Sequence, residues 1–225
     1  MIGKIAKKEG GNAKEQLSIL HKYWDLNKTY TLTTYFELEE KAPFKSEFAN
    51  GKIIPMSGGS IPHNRIKSLI HFYLWLQVMT AKLDAEVFDS DQKIFIPSYN
   101  RNVYSDACIV EGAIEKYQEG NQAITNPTVV VEVLSKSTGY YDRGAKFIKY
   151  KTIPSFKEYI LVNQDMPIVD VFFKKGENDW QLKTYIGLDQ TVQLQSLNIQ
   201  FSLADIYKNV DNLKDPQIAI EFPED

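Results

Sequence analysis

Cysteine is almost absent from this chain of 225 residues: Cys108 stands alone. No intrachain disulfide can form, so the core must hold by packing, and a reducing cytoplasm is the expected compartment. Long hydrophobic runs are missing too. The most apolar helical stretch, Leu69 to Met79, is too short and too interrupted to cross a bilayer, and the opening MIGKIAKKEGGNAKEQ carries no apolar leader segment. No membrane partner is expected. Neither charge sign dominates, with 26 basic against 29 acidic residues and a net charge of −3. That balance argues against the broad positive field of a protein that coats nucleic acid, but it leaves room for a local phosphate-binding groove. No helix-turn-helix, zinc-finger spacing or clustered arginine patch announces a base-reading element. Gly58-Gly59 is too short a loop for a dinucleotide fingerprint, and no histidine is placed to activate Ser135 as a nucleophile.

What is present suffices for one substantial core: 43% of residues are hydrophobic and 12% aromatic. We read an N-terminal extension over residues 1–28, one domain over 29–210 and a C-terminal tail over 211–225. The extension holds Lys4, Lys7 and Lys8 and a helical spacing of Leu17, Leu20 and Trp24 from Ala13 onward. Thr33 or Thr34 caps a short helix that ends before Pro43. Asn50-Gly51 marks a two-residue hairpin, with Glu47 just ahead of it. Asn64 then caps the main core helix, Arg65 to Leu83, whose apolar face is Ile66, Leu69, Ile70, Tyr73, Leu74 and Met79. Strands follow over 86–89, 92–96 and 103–110, then 129–134, 158–162, 168–173 and 180–185. Between them, 140–152 reads as a helix with Asp142, Lys146 and Lys149 on one face.

The most informative segment is NPTVVVEVLSKSTGYYDRGAKFIK, residues 126–149. Val129, Val130, Val131, Val133 and Leu134 form a short β-branched run of the kind buried on both faces, and Glu132 sits inside it. An ionised carboxylate there costs several kcal/mol, order of magnitude, unless it is paired or bound to a cation. Asp106 interrupts the apolar run VYSDACIV in the same way. Two acids at the rims of neighbouring buried strands suit a hard divalent metal, which takes oxygen ligands and usually only one or two carboxylates from protein. A structural ion pair between Glu132 and Lys146 would satisfy the buried acid equally well.

The segments SEFANGKIIPMSGGSIPHNRI, SDQKIFIP, YSDACIVEG and NPTVVVEVLSKSTGYYDRGAKFIKYKTIPSFKEYILV together resemble the Uma-type restriction endonuclease family of the PD-(D/E)XK nuclease superfamily. The likeness extends over roughly Thr31 to Tyr207. It implies an α/β fold, an α+β mixed sheet flanked by helices with a restriction-endonuclease-like core, and metal-dependent hydrolysis of phosphodiesters. By position, Asp106 matches the first metal-binding acid and Glu132 the acid of the (D/E)XK element. Leu134 stands where that element has lysine, and Lys146 from the next helix substitutes for it. The resemblance thus implies Asp106, Glu132 and Lys146 as catalytic residues, and Asp106, Glu132 and Glu47 as ligands of Mg²⁺ or Mn²⁺. His63 and Lys93 match positions that could touch substrate. Ser105 and Lys136 replace prolines common in the family, which alters loop stiffness more than chemistry.

The expectation is a magnesium-dependent endodeoxyribonuclease acting on DNA. A homodimer is expected with it, because two active sites about a two-fold axis most simply cut both strands. The alternative from another class is a scaffold or nucleic-acid-binding protein that keeps the fold with an inactive, internally ion-paired site.

Overall fold

The computed structural model describes residues 22–118, 122–136 and 138–216. The Lys4, Lys7 and Lys8 arm, the helix expected from Ala13 up to residue 21, Ser137 and the end of the tail lie outside the described residues. The chain divides into two compact units: residues 1–58 with 95–103, and residues 59–94 with 104–225.

The first unit is built on helix α1 (Leu32–Glu39) and strands β1 (Ser46–Ala49) and β2 (Lys52–Pro55). Thr31, rather than Thr33 or Thr34, caps α1, because its hydroxyl is the one placed to accept from the Thr34 amide. The hairpin forms where Asn-Gly predicts it, with φ of 47° at Asn50 and 88° at Gly51, the left-handed region that this turn demands. Strands β4 (Lys93–Ile96) and β5 (Arg101–Tyr104) complete a sheet of order β2-β1-β5-β4. Trp24, Tyr35, Phe48 and Ile53 form its apolar centre. Glu39 is buried but satisfied, since its carboxylate accepts from the amide and the hydroxyl of Ser46. The Tyr35 phenol donates to the Ser46 carbonyl at 2.6 Å, and burial pushes its pKa up.

The second unit carries the mixed sheet. Helix α2 (Ile61–Thr80) precedes β3 (Ala85–Asp89), and β6 (Ala107–Glu111) and β7 (Val129–Leu134) follow. After β7 comes α3, made of Gly139–Tyr141, a π-helical turn over Asp142–Lys146, and Phe147–Tyr150. Strands β8 (Glu158–Asn163), β9 (Ile168–Lys174) and β10 (Trp180–Ile186) finish the sheet, in the order β10-β9-β8-β7-β6-β3. Only the pair β7–β8 is parallel among those described, and α3 is the crossover that joins them. A hairpin of β11 (Thr191–Leu194) and β12 (Ile199–Ser202) and helix α4 (Leu203–Ile206) come last; sequence reading did not anticipate them.

Alternation along β7 assigns its two faces. Val129, Val131 and Val133 join Ile160 and Val162 of β8 and Ile66, Ile70, Leu74 and Val78 of α2 in one apolar cluster. Val130, Glu132 and Leu134 turn to the opposite face, which α3 covers. There Phe147 stacks on Tyr159 at 5.0 Å and meets Phe172 at 4.7 Å. The sheet is therefore flanked by helices on both faces, as expected.

Three local expectations are corrected. Ser60 and not Asn64 caps α2, its hydroxyl accepting from the His63 amide, so the helix begins at Ile61 with Pro62 in its first turn. The run 103–110 is broken at Ser105-Asp106 into β5 and β6, each paired in a different sheet. Met79, expected in the core, is 57% exposed, and Val78 points inward instead, because Ile66, Ile70, Leu74 and Val78 step by four.

Leu74→Ala should therefore cost roughly 2–5 kcal/mol in urea denaturation, the range for a large-to-small core change, whereas Met79→Ala should stay within about 0.5 kcal/mol. Cys108 is fully buried and its thiol is pushed up to about 12 by desolvation. A thiol reagent at pH 8 should leave the native protein unlabelled and modify it only after denaturation.

Candidate active site

The site forms at the carboxyl end of β7, and the sheet register builds it. Ala107 pairs with Val131 and Cys108 with Val130 in antiparallel ladder. One step further along the same ladder sets Asp106 across from Glu132, on the face that α3 covers. The break in the sequence run at Ser105-Asp106 is thus what brings the second acid to the rim. Asp106 is fixed twice: its amide donates to the Val131 carbonyl at 3.0 Å, and its Oδ2 accepts from the Val133 amide at 2.7 Å. It keeps some access to solvent, with a side chain 15% exposed, and His63 Nε2 lies 3.3 Å from Oδ2.

His63 sits in the first turn of α2, held near the sheet end by the Ser60 cap. Its Nδ1 is buried and has no hydrogen-bond partner among the described residues. Gly59 lets the ring sit there: a Cβ at that position would come within 2.7 Å of Nδ1 and 2.8 Å of Asn64 Oδ1.

Glu132 and Lys146 meet directly, Nζ to Oε1 at 2.7 Å, with both side chains only 6% exposed. The ammonium also donates to the Tyr104 carbonyl at 2.8 Å and lies 3.7 Å from Asp142 Oδ1. The Tyr150 hydroxyl donates to Glu132 Oε1 at 3.3 Å. Helix α3 makes this possible through its π turn, whose extra residue per turn keeps Asp142 and Lys146 facing the site while Phe147 and Tyr150 still reach the sheet.

Burial pushes the Glu132 carboxyl well above its ordinary range; Lys146 pulls it back, and Asp142 and Asp106 add to the rise. Burial likewise raises Asp142, against the opposing pull of Lys146 and of a hydrogen bond from Thr138. Such mutual repulsion among carboxylates is the electrostatic condition that favours a bound cation. Among the described residues, no three His, Cys, Asp or Glu side chains form a ready-made metal cage. The donor set nevertheless fits a hard ion: Asp106 and Glu132 supply carboxylate oxygen, and such ions fill their remaining positions with water or phosphate.

The structure thus brings together Asp106, Glu132, Lys146 and His63. Glu47 lies in the first unit, buried on β1 opposite Ile54. Lys93 opens β4, where its carbonyl accepts from the Ile124 amide, and no hydrogen bond or ion pair joins its side chain to the four site residues. Lys149 turns outward, donating to the Ala145 carbonyl and lying over the Tyr141 ring. Sequence reading sets Asp142 on the face of Lys146 without naming it as a site residue. Its spacing of four from Lys146 was the available signal.

A family profile described as "Putative restriction endonuclease" matches residues 32–205. An uncharacterised protein of Synechocystis sp. is 32% identical over 172 residues, covering 76% of this chain and 96% of its own. A second protein from the same organism is 31% identical over 176 residues, covering 78% of this chain and 90% of its own. In three dimensions the chain is similar to a crystal structure described as "a putative nuclease belonging to DUF820" from Anabaena variabilis, with a TM-score of 0.59, 16% identity, and coverage of 76% of this chain and 96% of that one. That likeness concerns the fold.

Lys146→Met should destabilise the protein by about 3–5 kcal/mol, since it leaves a buried carboxylate uncompensated. The pH dependence has a fixed sign. Glu132 has a folded-state pKa above its unfolded value, so its stabilising contribution is present at low pH and lost as pH rises through the folded value. Without Lys146 the carboxyl rises further, so the measured penalty should shrink in mild acid and grow toward alkaline pH. Denaturant titrations of both proteins across that range check it.

Proposed function

For a chain that belongs to the Uma2 family of restriction-endonuclease-like proteins, we propose a metal-dependent endonuclease that hydrolyses phosphodiester bonds in DNA. The observation that carries the reading is the convergence of Asp106, Glu132 and Lys146 at the carboxyl end of β7, with two acids on adjacent strands and one cation over them.

Asp106 and Glu132 would hold a divalent ion, Mg²⁺ or Mn²⁺. When bound, such an ion polarises a phosphoryl oxygen and lowers the pKa of a coordinated water toward neutrality. The chain's own residues would do the rest. Lys146 supplies a buried positive charge where negative charge develops on the phosphate, in a site whose low exposure strengthens its field. The Val133 amide and the fixed ladder hold Asp106 in place, so the carboxylate need not reorganise during reaction. His63, beside Asp106 at the rim, would meet the substrate phosphate or a water on it. Lys93 is a candidate contact to the nucleic-acid backbone. Two copies about a two-fold axis would cut both strands of a duplex.

A second reading, a scaffold with a retired site, is favoured by one observation: the Glu132–Lys146 pair satisfies the buried acid without any metal.

Supercoiled plasmid at low salt with Mg²⁺, Mn²⁺ or EDTA separates the two. The nuclease reading expects metal-dependent nicking or linearisation that falls at least a hundredfold in Asp106→Ala and in Glu132→Gln, each with a melting curve confirming its fold. Metal-independent cutting, or cutting that survives both substitutions, would contradict it. Absence of cutting and of Mn²⁺ binding would favour the scaffold.

A further inference from the structure

The Lys146 ammonium stands where it competes with an ion for Glu132 Oε1. Its Nζ is 2.7 Å from Glu132 Oε1. An ammonium and a divalent ion cannot both bond closely to one carboxylate oxygen without strong repulsion in a site this dry. The same Nζ also meets the Tyr104 carbonyl at 2.8 Å and Asp142 Oδ1 at 3.7 Å. A shift of about 1 Å would therefore exchange one carboxylate for the other, with the Tyr104 carbonyl as a pivot.

We infer that Asp142 is the positioning residue of this centre: it receives the Lys146 ammonium when a divalent ion takes Glu132, so that both cations are accommodated and Lys146 stays aimed at the substrate. The inference rests on the nuclease reading above.

Three features of the chain support it. Asp142 is buried, and no described basic side chain other than Lys146 is paired with it, so its carboxylate is spent on this ammonium and not on a surface ion. A hydrogen bond from Thr138 orients the carboxylate, and the Asp142 amide donates to the Thr138 carbonyl at 2.9 Å, which ties both residues at the start of α3. The Tyr159 hydroxyl donates to the Asp142 carbonyl at 3.0 Å and anchors the same residue to β8. A residue held at its amide, its carbonyl and its carboxylate, with the Lys146 ammonium 3.7 Å from Oδ1, is suited to receive that ammonium. Arg143, the next residue, is turned away and paired with Asp170 at 2.6 Å, so it does not compete for the place.

The test is a double-mutant cycle read by calorimetric titration of Mn²⁺ into the full chain without substrate, using wild type, Asp142→Asn, Lys146→Gln and the double variant. Asp142→Asn should weaken Mn²⁺ binding tenfold or more while Lys146 is present, and change it less than threefold in the Lys146→Gln background. On substrate, Asp142→Asn should lower kcat and leave KM within twofold, and Asp142→Glu should restore part of kcat. An equal loss of Mn²⁺ affinity in both backgrounds would make Asp142 a ligand and overturn the inference, as would unchanged affinity with Lys146 present. Melting curves check each fold, and Asp142→Ser replaces the Asn variant if that one fails to fold. A wild-type protein that binds Mn²⁺ and cuts, yet shows no coupling, sinks this inference alone; one that binds no Mn²⁺ sinks the nuclease reading with it.

Discussion

The buried pair of Glu132 and Lys146 is the constraint around which the second unit is organised. A carboxylate on the covered face of a central strand, 6% exposed, has no water to stabilise it. It can stand there only because a helix delivers an ammonium to within 2.7 Å. That delivery sets demands on the rest of the unit. The crossover from β7 to the parallel β8 must be short and must pass over the sheet end, which α3 does. The helix must turn its polar pair, Asp142 and Lys146, to the site and its aromatic pair, Phe147 and Tyr150, to the sheet, and the π turn reconciles the two. Phe147, stacked on Tyr159, packs the helix against β8.

Buried ion pairs are weak sources of net stability, because desolvation offsets their attraction. Apolar residues of similar volume would serve packing as well or better. The proposed chemistry gives an acid, a lysine and a second acid at this depth a use that packing alone does not. The electrostatics agree: Glu132 and Asp142 both have raised carboxyl pKa values from burial, and Asp106 pushes the same way on each. The divalent ion proposed for this site would relieve such repulsion.

Much of this was legible in the residues. Glu132 in a run of valines announced the strand and marked the candidate site, and Asn50-Gly51 announced the hairpin, because each rests on a local rule with few alternatives. Lys146 was legible by helical spacing. What was not legible depended on neighbours far away in sequence. Ser105-Asp106 is a polar interruption of the run 103–110, but that the chain leaves one sheet for another there follows from pairing with β7, which sequence spacing does not contain. Ser60 outcompetes Asn64 as a cap because the chain turns one helical turn earlier to set His63 beside Asp106. Met79 and Val78 are equally apolar, and only the path of α2 across the sheet decides which is buried. The place of Asp142 at the site was not legible because its partner, an ammonium held also by the Tyr104 carbonyl, is defined only in three dimensions.

The most direct test of the central claim is a crystal of the protein grown with Mn²⁺, with the ion located by its anomalous scattering. The account predicts a peak within bonding distance of both Asp106 and Glu132, with the Lys146 ammonium no longer on Glu132 Oε1. A peak bonded to neither acid, or Lys146 still on Glu132 at Mn²⁺ concentrations that saturate binding in solution, would contradict it.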